Sequence, residues 1–173
     1  DSNGVIAKRQ LSVKYISQSG FPTGCESASA VMLLQNAGYN VSVADFVDKY
    51  LDKGGFTWKN GIQYGPDPNS KFVGDPRSSS GFGCYAPVLT KAMNKILGNG
   101  KTAKNLTGTA FMSLLTDYID KGIPVAVWAS INMVNVDNGR QWVIPETGQL
   151  FTWKRHEHCL VPVSYTHLRA HET

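Results

Sequence analysis

Apolar residues recur with a helical period up to Gly122, and strand-like runs follow. Helices first and antiparallel strands after predict an α+β domain, not the alternating order of a parallel sheet. The first helix is predicted over residues 25–36, with Ala28, Val31, Met32 and Gln35 at helical spacing. Gly38 suits its left-handed end. Ser42 and Asp45 have the form of a capping box for a second helix through Leu51. A third helix is predicted over 86–97. A fourth is predicted over 109–121, where Phe111, Leu114, Leu115, Tyr118 and Ile119 share one face. Short strands are predicted over 11–17, 123–133, 149–154 and 158–163.

Between the second and third helices the chain changes character. Residues 53–85 hold seven glycines and three prolines. A loop this long inside a small domain is functional or disordered. Its aromatics, Phe56, Trp58, Tyr64, Phe72, Phe82 and Tyr85, predict an ordered loop packed on the surface. The whole chain has 173 residues, the size of one domain. Hydrophobic residues make up 42%, enough for a packed core. The net charge is +4, but no basic cluster is longer than a pair such as Lys154-Arg155, too short for a nucleic-acid groove. No run approaches the ~18 apolar residues of a membrane span. Cysteines at 25, 84 and 159 exclude a disulfide scaffold and any C-x-x-C zinc site.

All four histidines, at 156, 158, 167 and 171, crowd the C-terminal end. Residues 163–173 resemble one reading frame of a transposase sequencing adapter, and we expect them to be non-native. On that expectation the chain divides into an N-terminal extension (1–10), a domain (11–162) that is incomplete at its C-terminal end, and a foreign tail (163–173). Two histidines, His156 and His158, then remain for chemistry.

Cys25 is predicted to open a helix, where free N–H groups and the helix dipole favour a thiolate. It follows Gly24 and a proline-containing loop, so backbone and substrate can approach closely. A thiolate attacking an amide carbonyl generates an oxyanion, which needs two donors. The Cys25 backbone N–H and the side-chain amide of Gln18, seven residues earlier, could supply them. The base that takes the thiol proton would be His156 or His158.

The run Gln18-Ser-Gly-Phe-Pro-Thr-Gly-Cys25-Glu-Ser-Ala-Ser-Ala-Val-Met32 resembles the nucleophile motif of the C-thirty-nine-like cysteine peptidases. This is a bacterial papain-like group related to bacteriocin leader peptidases. The resemblance continues through Tyr64-Gly-Pro-Asp-Pro-Asn69, Gly81-Phe-Gly-Cys-Tyr-Ala-Pro87, Pro124-Val-Ala-Val-Trp128 and Glu157-His158-Cys-Leu-Val161. It implies a papain-like fold, with a helical part carrying the nucleophile packed on a C-terminal antiparallel sheet. It also implies Cys25 as nucleophile, His158 as general base and acid, and Gln18 as oxyanion donor. Gly24, Tyr64 and Trp128 are placed along the substrate path. No metal or organic cofactor is implied. From the resemblance we expect a peptide or amide substrate, a monomer, and a place outside the cell or in the bacterial envelope.

The family's His is oriented by a later Asp, expected beyond Pro162. Without it, His158 is expected to be unanchored and turnover reduced. Asp137 and Asn135 precede the His, the wrong order for this family. The same machinery also serves amidases and acyl or γ-glutamyl transferases. A binding domain without catalysis, using the 53–85 loop, is the rival of a different class. Cys84 and Cys159 are read as structural, with a disulfide between them left open. Asp67 and Asp75 are expected to satisfy their own turns.

Overall fold

Small side chains let the first helix sit at the centre of the molecule. α1 (Cys25–Asn36) buries Ser27, Ala28, Ser29 and Ala30 in its first turns. Their size lets a strand approach closely, and Ser29 Oγ donates to the Cys159 carbonyl at 3.3 Å. Val31 and Leu34 complete the buried face. Gly38, at φ +93°, returns its N–H to the Gln35 carbonyl, as the sequence predicts. The computed structural model describes residues 5–168, with side chains from 10 to 164.

One arm of the predicted capping box forms. The Asp45 N–H donates to Ser42 Oγ at 3.0 Å at the start of α2 (Val43–Asp45). The chain then widens into a π-helical turn, Phe46–Tyr50, which puts Phe46 and Val47 into the core with α1. α3 (Ala86–Asn94) has Pro87 in its first turn and adds Val88, Leu89, Ala92 and Met93 to that core. It stops short of the predicted Leu97, before a turn in which Asn99 and Gly100 take positive φ. α4 (Phe111–Asp117) is also shorter than predicted. Tyr118 breaks it, and a 3-10 turn, Ile119–Lys121, ends at Gly122 with φ +80°.

Residues 11–17 do not form the predicted strand. Leu11 is buried and Val13 and Ile16 are half-buried, but Tyr15 is 78% exposed. Beyond Leu11, these apolar residues anchor a loop that has no ladder partner among the described residues. The strand lies just before them: β1 (Val5–Gln10) pairs antiparallel with β10 (Ser164–Leu168). The Leu11 N–H continues that pairing to the Val163 carbonyl at 2.7 Å.

The glycine-rich segment is ordered by four short strands. β2 (Lys53–Gly54) runs parallel to β5 (Phe72–Val73). β3 (Thr57–Lys59) and β4 (Ile62–Tyr64) form a hairpin. Its two-residue turn, Asn60-Gly61, has φ of +51° and +75°, the conformation that Asn-Gly favours. β7 (Asn138–Val143) and β8 (Leu150–Lys154) complete a sheet of order β3-β4-β7-β8. Its aromatic core sets Phe56 edge-on to Trp142 at 5.1 Å and Phe82 edge-on to Trp153 at 5.6 Å. As expected, Asp67 and Asp75 accept from the backbone N–H groups of Asn69 and Arg77, each at 2.8 Å.

β6 (Val127–Ser130) pairs antiparallel with β9 (Glu157–Leu160), and this ribbon lies against α1. The predicted strand 123–133 is trimmed at both ends. After Ser130 the chain turns through Ile131–Met133, the Ile131 N–H bonding the His156 carbonyl at 2.7 Å. Asn132 and Met133 have positive φ, and Met133 is 85% exposed. Among the described residues no helix is long and apolar enough to cross a membrane.

Candidate active site

Two tight turns deliver Cys25 to the start of α1. The Phe21 N–H bonds the Gln18 carbonyl at 2.8 Å, and the Gly24 N–H bonds the Phe21 carbonyl at 2.9 Å. A Cβ on Gly24 would meet Phe21 Cβ at 2.6 Å, so the turn itself requires glycine there. Gly24 therefore serves the backbone path; the structure gives it no place on the cavity wall. The glycine-rich segment clasps this loop. Thr23 Oγ1 donates to the Ser78 carbonyl at 3.0 Å. Arg77 grips Asp48 with both guanidinium nitrogens, at 2.6 and 2.9 Å, and lies over the Phe21 ring.

Across from Cys25 runs β9. Its register sets His158 opposite Ala129 and Cys159 opposite Trp128. The Cys159 side chain is buried against α1, while its backbone N–H points at Cys25 Sγ, 3.5 Å away. A cavity of about 60 Å³ is lined by Cys25, Glu26, Trp128, His156, Glu157 and His158, among others. The structure thus brings the predicted nucleophile and both candidate bases to one small space. Trp128 is its wall, held by an indole N–H bond to the Cys84 carbonyl at 3.1 Å. Behind Trp128 a larger, mainly apolar cavity of about 690 Å³ lies between α1, α3 and α4, and Cys25 does not line it.

Gln18 and Tyr64 are not on the wall of the small cavity. Gln18 is half-buried in the turn before Phe21. Tyr64 is half-buried at the end of β4, paired with Thr57 and bridged to Val143.

Two groups at the site, Glu26 and Glu157, were not singled out from the sequence, and a third, Asp137, was set aside. Glu26 is buried, with Oε1 accepting from the Cys84 N–H at 3.1 Å and Oε2 accepting from the Cys25 thiol at 3.3 Å. An acid in a first helical turn reads from sequence as a complement to the dipole, and nothing in the pattern signals its burial. Glu157 has Oε1 shut away from solvent with no hydrogen-bond partner among the described residues. Asp137 Oδ2 lies 3.5 Å from His156 Nε2 and equally far from Arg155 Nη2. Chain order had set this aspartate aside. His156 occupies a turn at φ +65°, a conformation uncommon for a residue with a side chain.

The electrostatics run opposite to the expectation for the thiol. Burial, then the charge of Glu26, push Cys25 up to about 12. The backbone N–H groups of Cys159 and Glu26 do not offset these two effects, which favour the thiol over the thiolate. Burial raises Glu26 to about 7 against the pull of its N–H donors. Burial and then the charge of Glu26 raise Glu157 to about 8. Cys84 and Cys159 are free thiols, both buried, and burial pushes both up. Among the described residues no group of three or more His, Cys, Asp or Glu is arranged to hold a metal ion.

Comparison with known proteins places this geometry among relatives. The model of the Peptidase_C39 like family matches residues 10–171. The "Uncharacterized protein YvpB" of Bacillus subtilis (strain 168) is 30% identical over 133 residues, covering 77% of this chain and 51% of that protein. The chain therefore spans about half the length of this curated relative. The crystal structure of a "putative C39-like peptidase" from Bacillus anthracis superposes with a TM-score of 0.78 at 27% identity. That match covers 92% of this chain and 78% of the other.

Proposed function

Because the chain belongs to the Peptidase_C39 like family, we propose that it is a cysteine-dependent hydrolase of peptide or related amide bonds. One observation carries the reading. Cys25, at the N-terminus of α1, and His158, on β9, line the same cavity, with the Cys159 N–H on the Cys25 sulfur. The resting thiol is neutral, so His158 takes its proton as the sulfur attacks the carbonyl carbon. The oxyanion that forms is met by the Cys25 N–H, with Gln18 as the second donor once substrate draws its amide inward. His158 then gives the proton to the leaving amine. Water, deprotonated by His158, releases the acyl group from sulfur. Peptide, muropeptide and γ-glutamyl amide substrates, tested on the wild type and Cys25→Ser, check this. Cleavage of one class, lost in Cys25→Ser, is expected; equal cleavage by both proteins would end it.

A second reading concerns the base. His156 has a carboxylate partner in Asp137, the orienting contact that a catalytic His needs. We favour His158 because a paired strand fixes it, whereas His156 sits in an exposed turn. The proposed location is the cell exterior or envelope, and the proposed form is a monomer.

A further inference from the structure

We propose that Glu26 is a positioning residue for the nucleophile, holding the Cys25 thiol and the 53–85 loop in one fixed arrangement. This rests on Cys25 being the nucleophile. The carboxyl spans two elements. Oε2 takes the thiol hydrogen bond at 3.3 Å, and Oε1 takes the Cys84 N–H at 3.1 Å. The loop is shaped to this carboxyl, since a Cβ on Gly83 would lie 2.2 Å from Oε1. Cys84 in turn holds Trp128 through its carbonyl. One side chain therefore links the sulfur, the loop and the cavity wall.

The arrangement has a chemical consequence. The thiol hydrogen is directed at Glu26, so the sulfur rests protonated and ionises late. The other titratable groups around Glu26 are Cys84 and Tyr85 on the loop, Glu157, His158 and Cys159 on β9, and His156 in the turn before β9. Of these carboxylates, Glu26 alone contacts the sulfur and adds to its proton affinity; Glu157 does neither. The device is a latch on reactivity: Cys25 stays a weak nucleophile toward small electrophiles until substrate and His158 take over its proton.

The test is the rate of alkylation of Cys25 by iodoacetamide at pH 6–10, below the thiol midpoint of about 12, where the rate follows the thiolate fraction and gives an apparent midpoint; it is read by peptide mass spectrometry and requires no turnover. In Glu26→Gln the amide oxygen can still accept from Cys84 and the NH₂ can face the sulfur, where it favours the thiolate. The midpoint should fall by about one unit or more, giving roughly tenfold faster labelling near neutral pH. Glu157→Gln, which removes the other buried carboxyl, should leave the midpoint almost unmoved. A Glu26→Gln protein that melts like the wild type yet keeps its midpoint would overturn the proposal. So would equal shifts in both variants, since the bridge would then be no more than a general negative field. Loss of cleavage in Cys25→Ser concerns the hydrolase reading alone, and each result is legible without the other.

Discussion

Two carboxyl groups at the site make stability depend on pH in a direction opposite to ordinary surface acids. Glu26 and Glu157 are raised from 4.5 to about 7 and about 8. A raised acid binds its proton more tightly in the folded state than in the unfolded one. Its contribution is therefore full below about pH 4.5 and is lost as pH rises through 7 to 8. Urea midpoints should decline across that window. In Glu157→Gln the decline should be shallower, because the buried and unpartnered Oε1 no longer has to ionise. A midpoint that climbs between pH 5 and 8 would contradict this account of the two acids. At this scale the sequence showed Cys25 and both histidines, because their chemistry is carried by residue type and local motif. It did not show Glu26 as a partner of the sulfur, because burial depends on the return of residues 81–85 from far along the chain. His156 with Asp137 was hidden for the same reason: a hairpin brings them together, not their order.

At the scale of elements, the glycine-rich segment backs the site and adds Phe82 to its lining. Thr23 is clasped by the Ser78 carbonyl, Arg77 lies over Phe21, and Gly83 packs against Glu26. Gly83→Ala should cost about 1–3 kcal/mol, the usual range for overpacking, with the loss seen as a lower urea midpoint. A Gly83→Ala protein as stable as the wild type would mean that the loop can withdraw from Glu26 without cost. The helices were legible because a 3.6-residue apolar period and the stop glycines at 38 and 122 survive any context. The hairpin was missed although Asn60-Gly61 is its ordinary signal, because six other glycines in the same segment mask it. β7 offers only one buried residue, Trp142, and no alternation to read. The strand over 123–133 was overextended because its apolar run continues onto exposed positions after Ser130.

The whole molecule is an α+β fold of papain-like form, matching a C39-like structure at a TM-score of 0.78. Its central arrangement is a helix with Cys25 as its first residue, crossed by a two-stranded ribbon that carries His158. The small residues of α1 let β9 come close enough for its N–H to reach the sulfur. The most direct test of this arrangement is to trap the acyl-enzyme. After rapid mixing with a cleaved substrate and an acid quench, intact-mass and peptide analysis would locate the acyl group. The account predicts it on Cys25 in the wild type and in His156→Ala. It predicts acylation slowed by about 10²–10⁴-fold in His158→Ala, the usual range for loss of a general base. Acyl group on another residue, or slowing of that size in His156→Ala with His158→Ala unaffected, would contradict it.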